Sequence, residues 1–260
     1  MSPTMKDNVV LITGGGGHIG RATGAELAKQ GCHLAILDRA GPHIDAFCAE
    51  MTAAHGITCN LIEADLRDAS CFDAVAAEVK DRFGRLDGLV NNAAFYDDMP
   101  GWGVPFDEEG YDAWQAVMQV NLLAPFFLSQ KLTPLLRARD AGAIVNVASI
   151  YGVVGPDHGL YAGTVMTNPA AYAASKGGLI ALSRWLSTVL APDIRVNTVT
   201  PGGVERGQNP EFLARYEAKT PMGRMATEDD VAYAIVSLLD PRASYITGQN
   251  LIVDGGWTAW

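Results

Sequence analysis

Tyr172 and Lys176 lie four residues apart in a helical stretch, so their side chains share one face. A phenol with a pKa of about 10 is a poor base at neutral pH. A neighbouring ammonium favours the phenolate, which would let Tyr172 exchange a proton with an oxygen of a bound substrate. Chance supplies Tyr-x-x-x-Lys often, yet only one of the eight tyrosines here has lysine four residues on. That pair opens the helix after the strand that leads to Ser149. The Ser149 hydroxyl either holds the substrate oxygen against Tyr172 or serves the turn at the strand end. Asn121 falls inside a long helical pattern, where asparagine is a poor helix former. It either binds a water that relays protons to Lys176 or marks an irregularity in that helix.

A second set of residues suits a nucleotide. Thr13-Gly14-Gly15-Gly16-Gly17-His18-Ile19-Gly20 follows an apolar strand and opens a helix. Glycines let backbone approach a pyrophosphate closely, and a helix N-terminus offers free N–H groups and a positive dipole end. Such a turn is weak evidence alone and gains force from standing after the first strand of a βα series. Gly14, Gly17, His18, Ile19 and Gly20 are the expected contacts. Asp38 ends the second strand, where a carboxylate accepts hydrogen bonds from both ribose hydroxyls of NAD and repels the extra phosphate of NADP. The glycine loop holds no Arg or Lys to bind that phosphate, although Arg39 follows Asp38. NAD is therefore the expected cofactor. Asp65, with Leu66 beside it, meets the adenine edge or belongs to a helix N-cap region. Asn91 and Asn92 hold strand ends together or, as expected for Asn92, face the cofactor. Pro201, Gly202 and Val204 follow a later strand and complete the set.

These positions make sense only if a particular scaffold presents them. Short apolar runs at 9–12, 33–37, 58–63, 86–90, 143–147, 194–199 and 250–253 alternate with helical patterns at 20–30, 42–54, 68–83, 108–136, 171–190 and 228–239. That rhythm predicts an α/β fold: a doubly wound, mostly parallel sheet of about seven strands with helices on both faces. Ligands bind beyond the carboxyl ends of such strands, where the residues above fall. No linker, low-complexity tract or repeat beyond the βα rhythm splits the 260 residues, so a single domain over 1–260 is expected.

Composition narrows the function classes. A net charge of -10 makes nucleic acid an unexpected partner. Cys32, Cys48, Cys59 and Cys71 form no C-x-x-C pair and have no histidine at zinc-finger spacing, so no metal is expected and the thiols read as reduced. The first eight residues lack the regions of a signal peptide, and no apolar run reaches membrane-spanning length. A cytoplasmic protein that does not enter the membrane is expected.

Taken in order, Thr13 to Gly20, Asp65, Asn91-Asn92-Ala93-Ala94, Asn121, Ser149, Tyr172-Ala173-Ala174-Ser175-Lys176 and Pro201-Gly202 resemble the motif series of the short-chain dehydrogenase/reductase family, over residues 9–256. The resemblance implies a Rossmann fold, a nicotinamide cofactor and a catalytic tetrad of Asn121, Ser149, Tyr172 and Lys176. Tyr172 would then be the acid/base in interconverting a secondary alcohol and its ketone, and Lys176 would also bind the nicotinamide ribose. It further implies a homotetramer built through the long helices at 108–136 and 171–190 and the C-terminal strand. Residues 203–225 resemble a mobile substrate lid. A ketone or 3-oxoacyl reductase is the alternative enzyme reading. A non-catalytic NAD sensor is disfavoured by the intact tetrad, and a sugar epimerase or dehydratase by the short segment after Pro201.

Three positions depart from the family pattern. His18 stands where glycine is usual, Arg206 stands where a threonine commonly meets the nicotinamide amide, and the stretch between Ser149 and Tyr172 is longer than usual. Asp157, His158, Tyr161 and Asn168 in that longer stretch suggest a hydroxylated substrate such as a sugar, sugar acid or polyol. Residues 97–106, with Met99, Trp102 and Phe106, form either a pocket wall or a surface loop.

Overall fold

The computed structural model describes residues 5–95, 104–138, 141–164 and 166–260. Its strands are β1 (Val9–Thr13), β2 (His33–Asp38), β3 (Cys59–Glu63), β4 (Gly88–Asn91), β5 (Gly142–Val147), β6 (Ile194–Pro201) and β7 (Asn250–Val253). They form one sheet in the order β3-β2-β1-β4-β5-β6-β7. Every pairing is parallel, with Val9 level with His33, Val10 with Gly88 and Ile194 with Gly142. The chain runs outward from β1 to β3, then returns to place β4 on the other side of β1. The crevice for a ligand opens where that order reverses.

The strands are apolar throughout because both faces are covered. Alternate residues feed two separate cores. Val10, Ile12, Leu34 and Ile36 pack under α1 (His18–Lys29), α2 (Pro42–His55) and α8 (Glu228–Leu239). Val9, Leu11, Ala35 and Leu37 pack under α3 (Cys71–Phe83), α5 (Ala124–Arg137) and α6 (Ala170–Val189). This period of two is what a sheet buried on both sides requires.

Two local features differ from the expected helices. The pattern at 108–136 is broken into α4 (Tyr111–Met118), a π-helical turn over Gln119–Leu123, and α5. Asn121 sits in that turn, so the sequence signal of a poor helix former marked a real irregularity. The stretch 203–225 contains a helix that periodicity did not flag, α7 (Pro210–Lys219). Asn209 caps it, accepting from the Glu211 and Phe212 N–H groups, and Pro210 takes the first turn, where no N–H partner is needed.

A buried arginine closes the far end of the sheet. Arg195 on β6 donates to the carbonyls of Leu238, Leu239 and Asp240, which end α8. Those carbonyls have no partner within the helix, so the guanidinium satisfies them and its charge suits the dipole there. Among the described residues no helix is long and apolar enough to cross a membrane.

Candidate active site

The glycine loop leaves β1 through Gly14, whose φ of 61° is a left-handed conformation that glycine adopts without strain. Its Cα also approaches Ala93 after β4 so closely that a Cβ would lie 2.8 Å from that residue's Cα. Gly20 in α1 stands behind the loop, and a Cβ there would lie 2.3 Å from the Gly14 carbonyl oxygen. It does not line the cavity, and its missing Cβ lets helix and loop touch. Asp38 holds the loop from the next strand: its Oδ2 accepts from Gly16 N–H at 2.9 Å and its Oδ1 from Arg39 N–H at 2.8 Å. The N-terminus of α1 carries no acidic side chain in its first turn to oppose an anion.

The residues after β3 and β4 close the other wall. The Asp65 carboxylate takes two hydrogen bonds from Arg67 Nε and one of 2.5 Å from Nη2. These hold its pKa below the ordinary carboxylate value. Asp65 is no N-cap, since α3 begins at Cys71. Leu66 lines the cavity beside it. Of the paired asparagines, Asn92 ties strand ends together, donating to the carbonyls of Thr13 and Gly14 at 3.0 Å each, while still lining the cavity. Asn91 turns inward and donates to Asn146 Oδ1 at 2.7 Å.

The proton-handling residues meet at the end of β5. Lys176 is 2% exposed, and its Nζ donates to the Val147 carbonyl at 2.8 Å. It lies 5.7 Å from the centre of the Tyr172 ring. Burial pushes its ammonium down to about 8, because the charged form has lost water. The lysine is thus enclosed, while Tyr172 is half-buried. Ser149 is 8% exposed and opens a short turn, its Oγ accepting from Tyr151 N–H. Gly152 in that turn packs straight onto α6: a Cβ there would lie 2.6 Å from the Lys176 carbonyl carbon. Sequence reasoning missed Gly152, since nothing local marks a glycine that matters only for what passes over it.

Asn121 is fully buried, and its side chain does not line the cavity. Its Oδ1 accepts from Phe95 N–H at 2.7 Å and its Nδ2 donates to Ser175 Oγ at 3.2 Å. The carboxamide therefore ties the segment after β4 to the turn of α6 that carries Tyr172 and Lys176.

All these walls enclose one cavity of about 820 Å³. Gly14, Gly17, His18, Ile19, Asp38 and Asp65 line one part of it, and Ser149, Tyr172, Lys176, Pro201, Gly202 and Val204 another. Its volume, the close glycine approach and the carboxylate at the end of β2 fit a dinucleotide.

Comparison with known proteins agrees with this geometry. Residues 16–258 match the family model described as enoyl-(acyl carrier protein) reductase. The chain is 34% identical to 2-(S)-hydroxypropyl-CoM dehydrogenase 3 of Xanthobacter autotrophicus, over 100% of both chains. It is 33% identical to a probable galactose dehydrogenase of Rhizobium meliloti, covering 98% of this chain and 96% of that one. A solved short-chain dehydrogenase from Leptospira borgpetersenii with bound NAD+ superposes with a TM-score of 0.85 at 30% identity, over 98% of this chain and 94% of that chain. The chain belongs to the short-chain dehydrogenase/reductase family. It is an oxidoreductase of the class that acts on CH–OH groups.

For a dehydrogenase of this family, the departures from pattern now have locations. The His18 side chain is 55% exposed at the start of α1, with Nδ1 3.6 Å from Glu228 Oε1. Arg206 Nε lies 3.9 Å from the same carboxylate oxygen. Both substitutions thus gather on one acidic residue of α8, at the glycine-loop side of the cavity. The long stretch before Tyr172 is drawn onto α7. Asp157 pairs with Lys219 of α7, and Arg215 donates to the carbonyls of Leu160 and Ala162. Tyr161 and Asn168 face the cavity, whereas Asp157 and His158 do not line it. Asp97, Met99 and Trp102 lie outside the described residues, and Phe106 is 86% exposed, so it forms no pocket wall. Sequence reasoning also missed Tyr151, Phe212, Tyr216 and Met225, which pack with Leu160 and Tyr161 over the far end of the cavity. They come from segments some sixty residues apart, and only tertiary folding brings them together. Among the described residues no group of three or more His, Cys, Asp or Glu side chains could hold a metal ion.

Proposed function

We propose that the protein is an NAD-dependent dehydrogenase that interconverts a secondary alcohol and its ketone, with Tyr172 as acid/base. The observation that carries this reading is the Lys176–Tyr172 pair, held beside Ser149 in the same cavity as the glycine loop and Asp38. The nicotinamide, when bound, supplies the site that accepts hydride from the carbinol carbon. Tyr172 takes the carbinol proton, so the oxygen keeps the electron pair that becomes the carbonyl. Ser149 donates to that oxygen and holds it against Tyr172. Lys176, kept from water and anchored on the Val147 carbonyl, favours the phenolate and offers its remaining N–H groups to the ribose. Asn121 positions the α6 turn through Ser175. The same groups run in reverse for ketone reduction.

Asp38 favours NAD over NADP in this reading, because its carboxylate occupies the position an extra phosphate would need. The segment 203–225 acts as the lid of a single domain. A homotetramer is the expected assembly, since Trp185 and Val189 on α6 and Leu251 and Ile252 on the edge strand β7 leave apolar surface exposed. Sedimentation velocity tests it, and a monomer at micromolar concentration refutes it. A reducing, cytoplasmic setting suits four unpaired cysteines. The direct test of the activity follows absorbance at the NADH band across a panel of polyols, secondary alcohols and ketones. Turnover of at least one alcohol with NAD is expected; no turnover of any alcohol or ketone with either cofactor refutes the reading.

A further inference from the structure

The far end of the cavity holds a carboxamide with nothing to bind. Asn168 is 6% exposed and lines the cavity, two residues before α6 begins. Neither its Oδ1 nor its Nδ2 has a hydrogen-bond partner. Buried polar side chains are almost always partnered, and one that is not calls for an explanation in what it meets. A second polar group lines the same cavity, the Tyr151 and Tyr161 hydroxyls, which share a hydrogen bond of 2.7 Å. One hydroxyl donates to the other, so the pair keeps one O–H free to donate. Burial pushes the Tyr161 phenol up to about 12 and raises that of Tyr151, so both stay neutral.

The remaining wall here is apolar and aromatic. Tyr161, Phe212 and Tyr216 form a row with ring centres 5.5 and 6.0 Å apart, and Met166 and Met225 pack beside it. The Tyr216 hydroxyl is engaged by Gly203 N–H at 2.6 Å. Among the described residues, no lysine or arginine pairs with the Asn168 carboxamide or with the Tyr151 and Tyr161 hydroxyls. Lys176 is held at Val147, and Arg206 lies toward Glu228 and His18. The other cations of 203–225, Arg215, Lys219 and Arg224, are engaged by Glu211, by backbone carbonyls, by Asp157 and by Asp230. A carboxylate placed here would find only neutral donors, Asn168 Nδ2 and one tyrosine O–H, and would leave the Asn168 Oδ1 acceptor without a donor.

We propose that Asn168 anchors the substrate, and that the substrate is an uncharged diol or hydroxyketone on a mainly apolar carbon frame. Its reacting carbinol lies at Tyr172, and its second oxygen function lies on the Asn168 carboxamide and the Tyr151–Tyr161 pair. A hydroxyl both donates and accepts, which matches a carboxamide that has one group of each kind free. The inference rests on the dehydrogenase reading for the reacting carbinol, and it removes sugar acids from the expected substrates. Sites built to hydrogen-bond a substrate hydroxyl reject the analogue that lacks it, because their own polar groups are then left unpaired.

Two measurements test it. The first compares kcat/KM with NAD for a vicinal cyclohexanediol, cyclohexanol and a hydroxycyclohexanecarboxylate. The wild type is expected to prefer the diol by roughly 100-fold over both others. Asn168→Ala is expected to bring the diol-to-cyclohexanol ratio to within about 3-fold of unity. A wild-type ratio already near unity, preference for the carboxylate, or an equal loss on both alcohols in the variant overturns the proposal. The second needs no turnover: the midpoint of thermal unfolding of Asn168→Leu without ligands. An unpartnered carboxamide is replaced by an apolar group of similar size, so the midpoint is expected to rise by a few degrees. A fall shows that the carboxamide holds the fold together and overturns the anchoring role. Absence of all turnover together with a raised midpoint sinks the dehydrogenase reading while leaving Asn168 as an unpaired ligand-facing group.

Discussion

Replacing Lys176 with methionine should stabilise the fold while ending turnover. The ammonium is wholly buried, and its pKa falls from 10.5 to about 8. Each tenfold change in proton affinity corresponds to about 1.4 kcal/mol, so keeping the charge in the folded state costs about 3 kcal/mol at neutral pH. Methionine has similar length and no charge. It leaves the Val147 carbonyl without its 2.8 Å partner, a loss of about 1 kcal/mol. The net gain is about 2 kcal/mol, or roughly 4–8 °C in Tm for a chain of this size. The pH dependence has a definite sign. The folded pKa lies below the unfolded one, so between about pH 8 and 10.5 the unfolded chain holds a proton that the folded chain has lost. Wild-type stability therefore rises through that window, and the variant's does not. Thermal unfolding without cofactor, followed by circular dichroism at pH 7 and pH 9.5, measures both quantities. A variant that unfolds at or below the wild-type temperature at pH 7, or a gap that does not narrow at the higher pH, refutes the desolvation argument. Turnover should fall by at least about 100-fold, since the acid/base group loses its charge partner.

Three further outcomes follow from particular contacts. Asp38→Ala removes the acceptor of Gly16 N–H and the ribose partner, so titration calorimetry should show NAD binding weakened by about 10-fold or more, with NADP affinity unchanged or improved. Asn121→Ala strands the Phe95 N–H and should lower stability by about 2 kcal/mol, read from denaturant unfolding. Gly152→Ala places a methyl 2.6 Å from the Lys176 backbone. It should reduce kcat by about 100-fold, a larger effect than its change in NAD affinity, because a shift of about 1 Å at Tyr172 misaligns proton transfer.

The features legible in the sequence were those written in local pattern. β2 ends at Asp38, and the glycines lie between β1 and α1, because strand and helix periods force them there. Asn121 was visible as a poor helix former in a helical run, and it does sit in a π-helical turn. Its use was not visible, because Phe95 and Ser175 are 26 and 54 residues away. Helix α7 was legible in principle from Asn209-Pro210-Glu211 but was absorbed into the lid pattern. The polar residues of the long stretch before Tyr172 were legible, but which of them reach the cavity was not. Asp157 binds Lys219 of α7, and of the four polar residues named there Tyr161 and Asn168 line the cavity. The aromatic row from Tyr161 to Tyr216 could not be read at all, since burial against a lid is decided by tertiary packing. Arg195 is the same case: the carbonyls of Leu238, Leu239 and Asp240 that it binds lie at least 43 residues away.

The most direct test of the central claim is Tyr172→Phe, which deletes one oxygen and keeps the ring beside Lys176. With whichever alcohol the wild type oxidises, steady-state absorbance at the NADH band should show kcat reduced by about 1,000-fold, the scale of a lost general acid/base. The NAD dissociation constant by calorimetry should stay within about 3-fold, because the glycine loop and Asp38 are untouched. Turnover within about 10-fold of wild type would contradict the assignment of Tyr172 as the proton-transfer group.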